Sequence, residues 1–158
     1  RAMSAFARGF VYAFRGIGIC LRRERNFRVH TAVAVYVLLL APYFLVSRGE
    51  WALLALTIGL VMAAEAVNTA IENAVDLVGK RCETARVAKD VAAGAVLLCA
   101  LAAIGVGAAL FVRADGFVRL GQDFAAHIWK PIGLAASLPV AGFLVFRSYE
   151  PSDKKISK

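Results

Sequence analysis

Glu65-Ala66-Val67-Asn68-Thr69-Ala70-Ile71-Glu72-Asn73-Ala74-Val75-Asp76 sets three carboxylates and an amide at the end of a segment otherwise apolar enough to lie in a bilayer. On a helix of about 3.6 residues per turn, Glu65, Asn68, Glu72 and Asp76 follow at steps of three, four and four and project from one stripe. An ionised carboxylate at membrane depth costs about 2.5–3.5 kcal/mol on insertion scales. Apolar helices do not carry such a load without a return, so the stripe is where chemistry is expected.

The rest of the chain fixes the medium. Of its 158 residues 60% are hydrophobic, with a mean hydropathy of +0.67, well above soluble usage. This defines an all-α integral membrane protein within the size of one domain. Nineteen Lys and Arg against eleven Asp and Glu give a formal charge of +8, and the basic residues crowd into short polar segments between apolar ones. In a membrane protein that pattern reads as topology and anionic headgroups, not as nucleic-acid binding. Cys20, Cys82 and Cys99 are widely spaced, support neither a disulfide framework nor a zinc site, and read as apolar filler. Arg1-Ala2 precede Met3, so either Met3 is the native start or the numbering begins inside a longer protein; no cleavable signal peptide is read.

Residues 1–28 read as an amphipathic surface helix, with Phe6, Phe10, Phe14, Ile17 and Leu21 at steps of three and four among arginines. Residues 29–112 hold three membrane spans, at 29–46, 52–78 and 91–112, the last two joined by a basic loop over 79–90. His30 at the entrance of the first span reads as a headgroup-level hydrogen bonder, and Trp51 as an interfacial anchor. The third span is filled with Ala and Gly, which favours close packing at a helix–helix or subunit interface. Residues 113–147 comprise a polar connection and a fourth span at 128–146, and 148–158 form a polar basic tail. Lys and Arg are richest in the N-terminal segment, the 79–90 loop and the tail. The charge rule therefore puts both termini in the cytoplasm, with an even number of spans.

The stripe has three readings from the residues alone. Its carboxylates are polar glue in a structural membrane subunit, or they line an ion or proton pathway, or they bind a divalent metal. Hard oxygen ligands suit Mg²⁺, which in turn implies a phosphate-bearing substrate. Lys89, Arg81, Arg86 and the surface-helix arginines collect at the same end and suit polyphosphate. There is no G-x-x-x-x-G-K-[ST] loop, so a nucleotide site must be built another way.

The run Glu65 to Asp76, followed by Ala88-Lys89-Asp90-Val91-Ala92-Ala93-Gly94-Ala95 and preceded by Glu24-Arg25-Asn26-Phe27-Arg28, resembles the signature of the prokaryotic diacylglycerol kinases, which include undecaprenol kinases. The resemblance covers roughly residues 5 to 112. It implies a small homotrimeric enzyme of the bacterial inner (cytoplasmic) membrane, with active sites shared between chains, that moves the ATP γ-phosphate to a lipid hydroxyl with Mg²⁺. Carried over, it makes Glu65 the general base and gives Glu24 and Glu72 to the metal. Tyr12, Glu24, Glu72, Asp76, Lys89 and Asp90 fall to the nucleotide. Arg8, Asn68, Phe27, Arg28 and Ala93 shape the site or meet the lipid. Glu24 to Phe27 with His30, and Ala93 in place of a Ser, look more like the undecaprenol branch than the diacylglycerol one. The chain departs from the family in Ala5, where a basic residue is common and Arg8 substitutes one turn on; in a 79–90 loop about one residue short and without its usual His; and in its fourth span.

Overall fold

The computed structural model describes residues 5–79 and 82–147; Arg81 and the 148–158 tail fall outside these. Among these described residues six helices follow one another: α1 (Ala5–Arg23), α2 (Arg25–Phe44), α3 (Arg48–Val78), α4 (Glu83–Phe111), α5 (Ala114–Ala126) and α6 (Trp129–Phe146). Four of them, α2, α3, α4 and α6, are long and apolar enough to cross a membrane. At about 1.5 Å per residue, the 31 residues of α3 outrun a hydrocarbon core of about 30 Å, so the polar end of the stripe projects beyond it.

Local chemistry sets the breaks. Glu24 is extended and separates α1 from α2, so the surface helix ends at Arg23 and residues 25–28 open the first span. Ser47 starts α3 with a capping box: its hydroxyl accepts from the Glu50 backbone N–H, and Glu50 accepts from the Ser47 N–H at 2.8 Å, satisfying two otherwise orphaned donors. Gly79 ends α3 at φ 67°, left-handed backbone open to glycine at no Cβ cost. The 79–90 loop is shorter than the sequence reading has it, because α4 starts at Glu83. Glu83 stands in its first turn, where acidic groups favour the helix dipole, and Arg86 bridges to both Glu83 and Asp90.

α3 and α4 form the most extensive helix pair. Away from the stripe the core gathers Ala41, Phe44, Leu45, Leu54 and Leu110. The polar connection over 113–127 is largely a helix, α5. α5 forms because Gly116 lets it lie against the Phe44 ring, where any Cβ would collide with ring carbons. Phe117 closes edge-on to Phe44 at 5.1 Å between centroids.

The fourth span docks on α2, on the side away from α4. Tyr36 Oη and Ser137 Oγ are 2.9 Å apart. Asp123 of α5 joins the elements at the other end: its two oxygens accept from Lys130 Nζ at 2.7 Å, and Oδ2 also accepts from the Tyr43 hydroxyl at 2.6 Å. These bonds hold the Asp123 carboxyl below the ordinary aspartate range, the Lys130 bond foremost. A depressed carboxylate pKa gives stability that is present above the unfolded value and lost as pH falls through the folded one. In a Trp51→Phe, His127→Gln background Trp129, whose ring lies 5.7 Å from Lys130 Nζ, reports on this joint. Its emission is expected to hold from neutral pH to about 4 and change only below the ordinary aspartate value of about 3.9; a midpoint at or above that value would contradict the pairing.

Candidate active site

The four stripe residues lie on one face of α3 and pass from sealed to open along it. Glu65 is 2% exposed and Asn68 9%, Glu72 is half-buried, and the Asp76 side chain is 69% exposed. The face therefore runs from the bundle interior out to its end. Asn68 Nδ2 donates to Glu72 Oε1 at 2.8 Å, and Lys89 Nζ reaches across from α4 to Asp76 Oδ1 at 2.6 Å.

Glu65 faces His30 of α2, whose Nε2 lies 3.2 Å from Oε1 without hydrogen-bond alignment. His30, read from sequence as a headgroup-level residue, is thus the neighbour of the candidate base. Among the described residues, Glu65 Oε1 and Asn68 Oδ1 are buried with no hydrogen-bond partner. Two buried acceptors one turn apart without aligned hydrogen bonds are unusual enough to need a reason.

α1 covers this region. Cys20 is buried beside Thr69 of α3, and burial raises its thiol pKa, which makes it an inert packing group. Glu24 and Glu72 both lie within electrostatic reach of Glu65. No cluster of three or more ligating side chains gathers among the described residues. Mg²⁺ does not require one, since it commonly takes one or two carboxylates and fills its shell with substrate phosphates and water. Two carboxylates on facing elements fit that donor set.

The other predicted positions divide. Asp76 and Lys89 line a cavity of about 640 Å³ at the α3–α4 turn, with Glu83 and Arg86, within the usual range of ligand sites. Asp90 points along α4 to Arg86 at 3.5 Å. Tyr12 is exposed on α1 with Arg15 over its ring at 5.9 Å; Arg8 and Ala93 are exposed as well. Phe27 is buried. The Arg28 guanidinium turns away from the stripe and donates to the backbone carbonyls of Arg22, Val145 and Arg147. Among the described residues, no hydrogen bond or ion pair joins Tyr12, Phe27, Arg28 or Ala93 to Glu65.

Membrane-length helices around a buried carboxylate, with an acidic stripe opening toward cationic groups, define an all-α integral-membrane protein with a polar site at one end of its bundle. The chain belongs to the prokaryotic diacylglycerol kinase family, which matches residues 11–111. It is 47% identical over 105 residues to a diacylglycerol kinase of Synechocystis sp., a match that spans 65% of this chain and 60% of that one. It is 40% identical over 111 residues to an undecaprenol kinase of Bacillus subtilis, spanning 70% of this chain and 90% of that one. A diacylglycerol kinase of Helicobacter pylori is 34% identical over 88 residues, 55% of this chain and 69% of that one. No solved structure matches the chain. The family match ends at Phe111, the last residue of α4, so α5 and α6 lie beyond it.

Proposed function

We propose that the protein transfers the γ-phosphate of ATP to the hydroxyl of a membrane lipid alcohol, with undecaprenol as the acceptor. The observation that carries this reading is the pair of buried acceptors one turn apart, Asn68 Oδ1 without a hydrogen-bond partner and Glu65 Oε1 with only His30 Nε2 beside it. A lipid hydroxyl is a donor that can meet them without leaving the membrane. Glu65 accepts the hydroxyl proton as the oxygen attacks the γ-phosphorus and ADP departs. His30, 3.2 Å away, orients the carboxylate. Phosphoryl transfer asks little covalent chemistry of a protein and much positioning; Asn68, held by Glu72, fixes the hydroxyl's approach.

Glu24 and Glu72 would hold the Mg²⁺, which when bound neutralises charge on the polyphosphate. Asp76, Lys89 and Asp90 border the nucleotide at the α3–α4 turn, and Lys89 exchanges its Asp76 partner for phosphate oxygens. Tyr12 covers the nucleotide from α1, and Arg8, Phe27 and Ala93 shape the approach of the lipid. The exposed apolar face of α4, with Leu97, Leu98, Leu101 and Ile104, suits a homotrimer in which neighbouring chains complete each site. Both termini and the site face the cytoplasm, as the Lys and Arg distribution favours.

The undecaprenol assignment rests on residues 24–30 and Ala93, together with the match to nearly the full length of the Bacillus subtilis enzyme. With γ-labelled ATP and equal amounts of undecaprenol and diacylglycerol, label is expected chiefly in undecaprenyl phosphate. Label chiefly in phosphatidic acid would overturn the lipid assignment, and label in neither would overturn the kinase reading.

A further inference from the structure

We infer that the groove between α2 and α6 is a binding site for an anionic phospholipid, with the headgroup phosphate between Arg22 and Arg147 and one acyl chain in the groove. The inference does not rest on the kinase reading, and α6 lies outside the family match.

Helix geometry separates this site from the stripe. Arg28 and His30 are two residues apart on α2, roughly 200° around the axis. His30 therefore faces Glu65 while Arg28 turns to α6. On the α6 side lies a cavity of about 1000 Å³, walled by apolar residues that include Val35, Leu39, Val140 and Leu144. From Arg28 to Leu39 is eleven residues, about 16 Å of helix, close to the roughly 15 Å half-thickness of a bilayer core. The groove thus spans one leaflet, the length of one acyl chain.

Its mouth carries the complementary charge. Arg22, Arg28 and Arg147 all line the cavity. Arg28 is committed to three backbone carbonyls, those of Arg22, Val145 and Arg147. These bonds offset the negative C-terminal ends of α1 and α6 and tie the two walls together. The guanidiniums of Arg22 and Arg147 form no ion pair among the described residues. Two arginines on opposite sides of an apolar slot, at headgroup level, fit a phosphodiester that each can bind through a planar pair of donors.

The full chain in phosphatidylcholine vesicles containing phosphatidylglycerol with a photoreactive acyl chain tests this. Label is expected on Val35, Leu39, Val140 and Leu144, and the double variant Arg22→Gln, Arg147→Gln is expected to lower it about 30-fold, the combined scale of two surface arginines at an anionic membrane. Ala141→Trp, which fills the slot and leaves the charge in place, is expected to remove the label equally, with both variants eluting at the wild-type size. Equal labelling by a photoreactive phosphatidylcholine, labelling outside the groove only, or full labelling of the double variant would each overturn the site.

Discussion

Glu65→Gln is expected to lower kcat by about 10²–10⁴, the usual contribution of a general base, with little change in KM for ATP and no change in assembly. The substitution keeps the size of the side chain and one carbonyl acceptor, and it removes the negative charge and with it the capacity to take a proton. Because Glu65 is 2% exposed and packed beside His30, a shape change there would also disturb α2 against α3, which is why the isosteric amide is the informative variant. Rates in vesicles with a saturating lipid alcohol, read alongside size-exclusion profiles, check the outcome. Unchanged kcat would remove Glu65 from the chemistry.

Glu72→Gln is expected to cost at least about 100-fold in kcat/KM, the upper scale for residues that support a metal, and to move the Mg²⁺ dependence to higher concentration. Glu72 sits where the stripe passes from buried to open and is held by Asn68 at 2.8 Å, so its carboxylate is positioned without help from ligand. Asp76, one turn further out, is largely exposed and already paired with Lys89, and Asp76→Asn is expected to act mainly on KM for ATP. Magnesium titrations of both variants separate the roles. A Glu72→Gln enzyme with the wild-type Mg²⁺ dependence would argue that Glu72 does not hold the metal.

Four spans and the acidic stripe were legible because hydropathy and a three-and-four spacing are local properties of the chain. What stayed hidden depends on partners far away in sequence. His30 reads as an isolated polar residue until it is seen to share a face with Val37, Ala41 and Phe44, steps of seven, four and three; that pattern was a signal that it turns inward. α5 carries Gly116 and Gly121 among polar residues, so its own propensity is weak. Its helix is held by Phe44 over Gly116 and by the Tyr43–Asp123 bond. The start of α4 hid among basic residues that look like loop, although Arg86 and Asp90 stand one helical turn apart. Arg28 was assigned by resemblance to the site's lipid side, and its three bonds to the ends of α1 and α6 depend on a helix that the family pattern does not contain.

The stripe as a phosphotransfer site is tested most directly by following γ-labelled ATP in vesicles of phosphatidylcholine that hold the purified full-length chain. Label is expected to pass into the lipid phase in step with ADP formation, only when both Mg²⁺ and a lipid alcohol are present. ATP consumed without the alcohol, label remaining in the aqueous phase, or no turnover with either alcohol would contradict it.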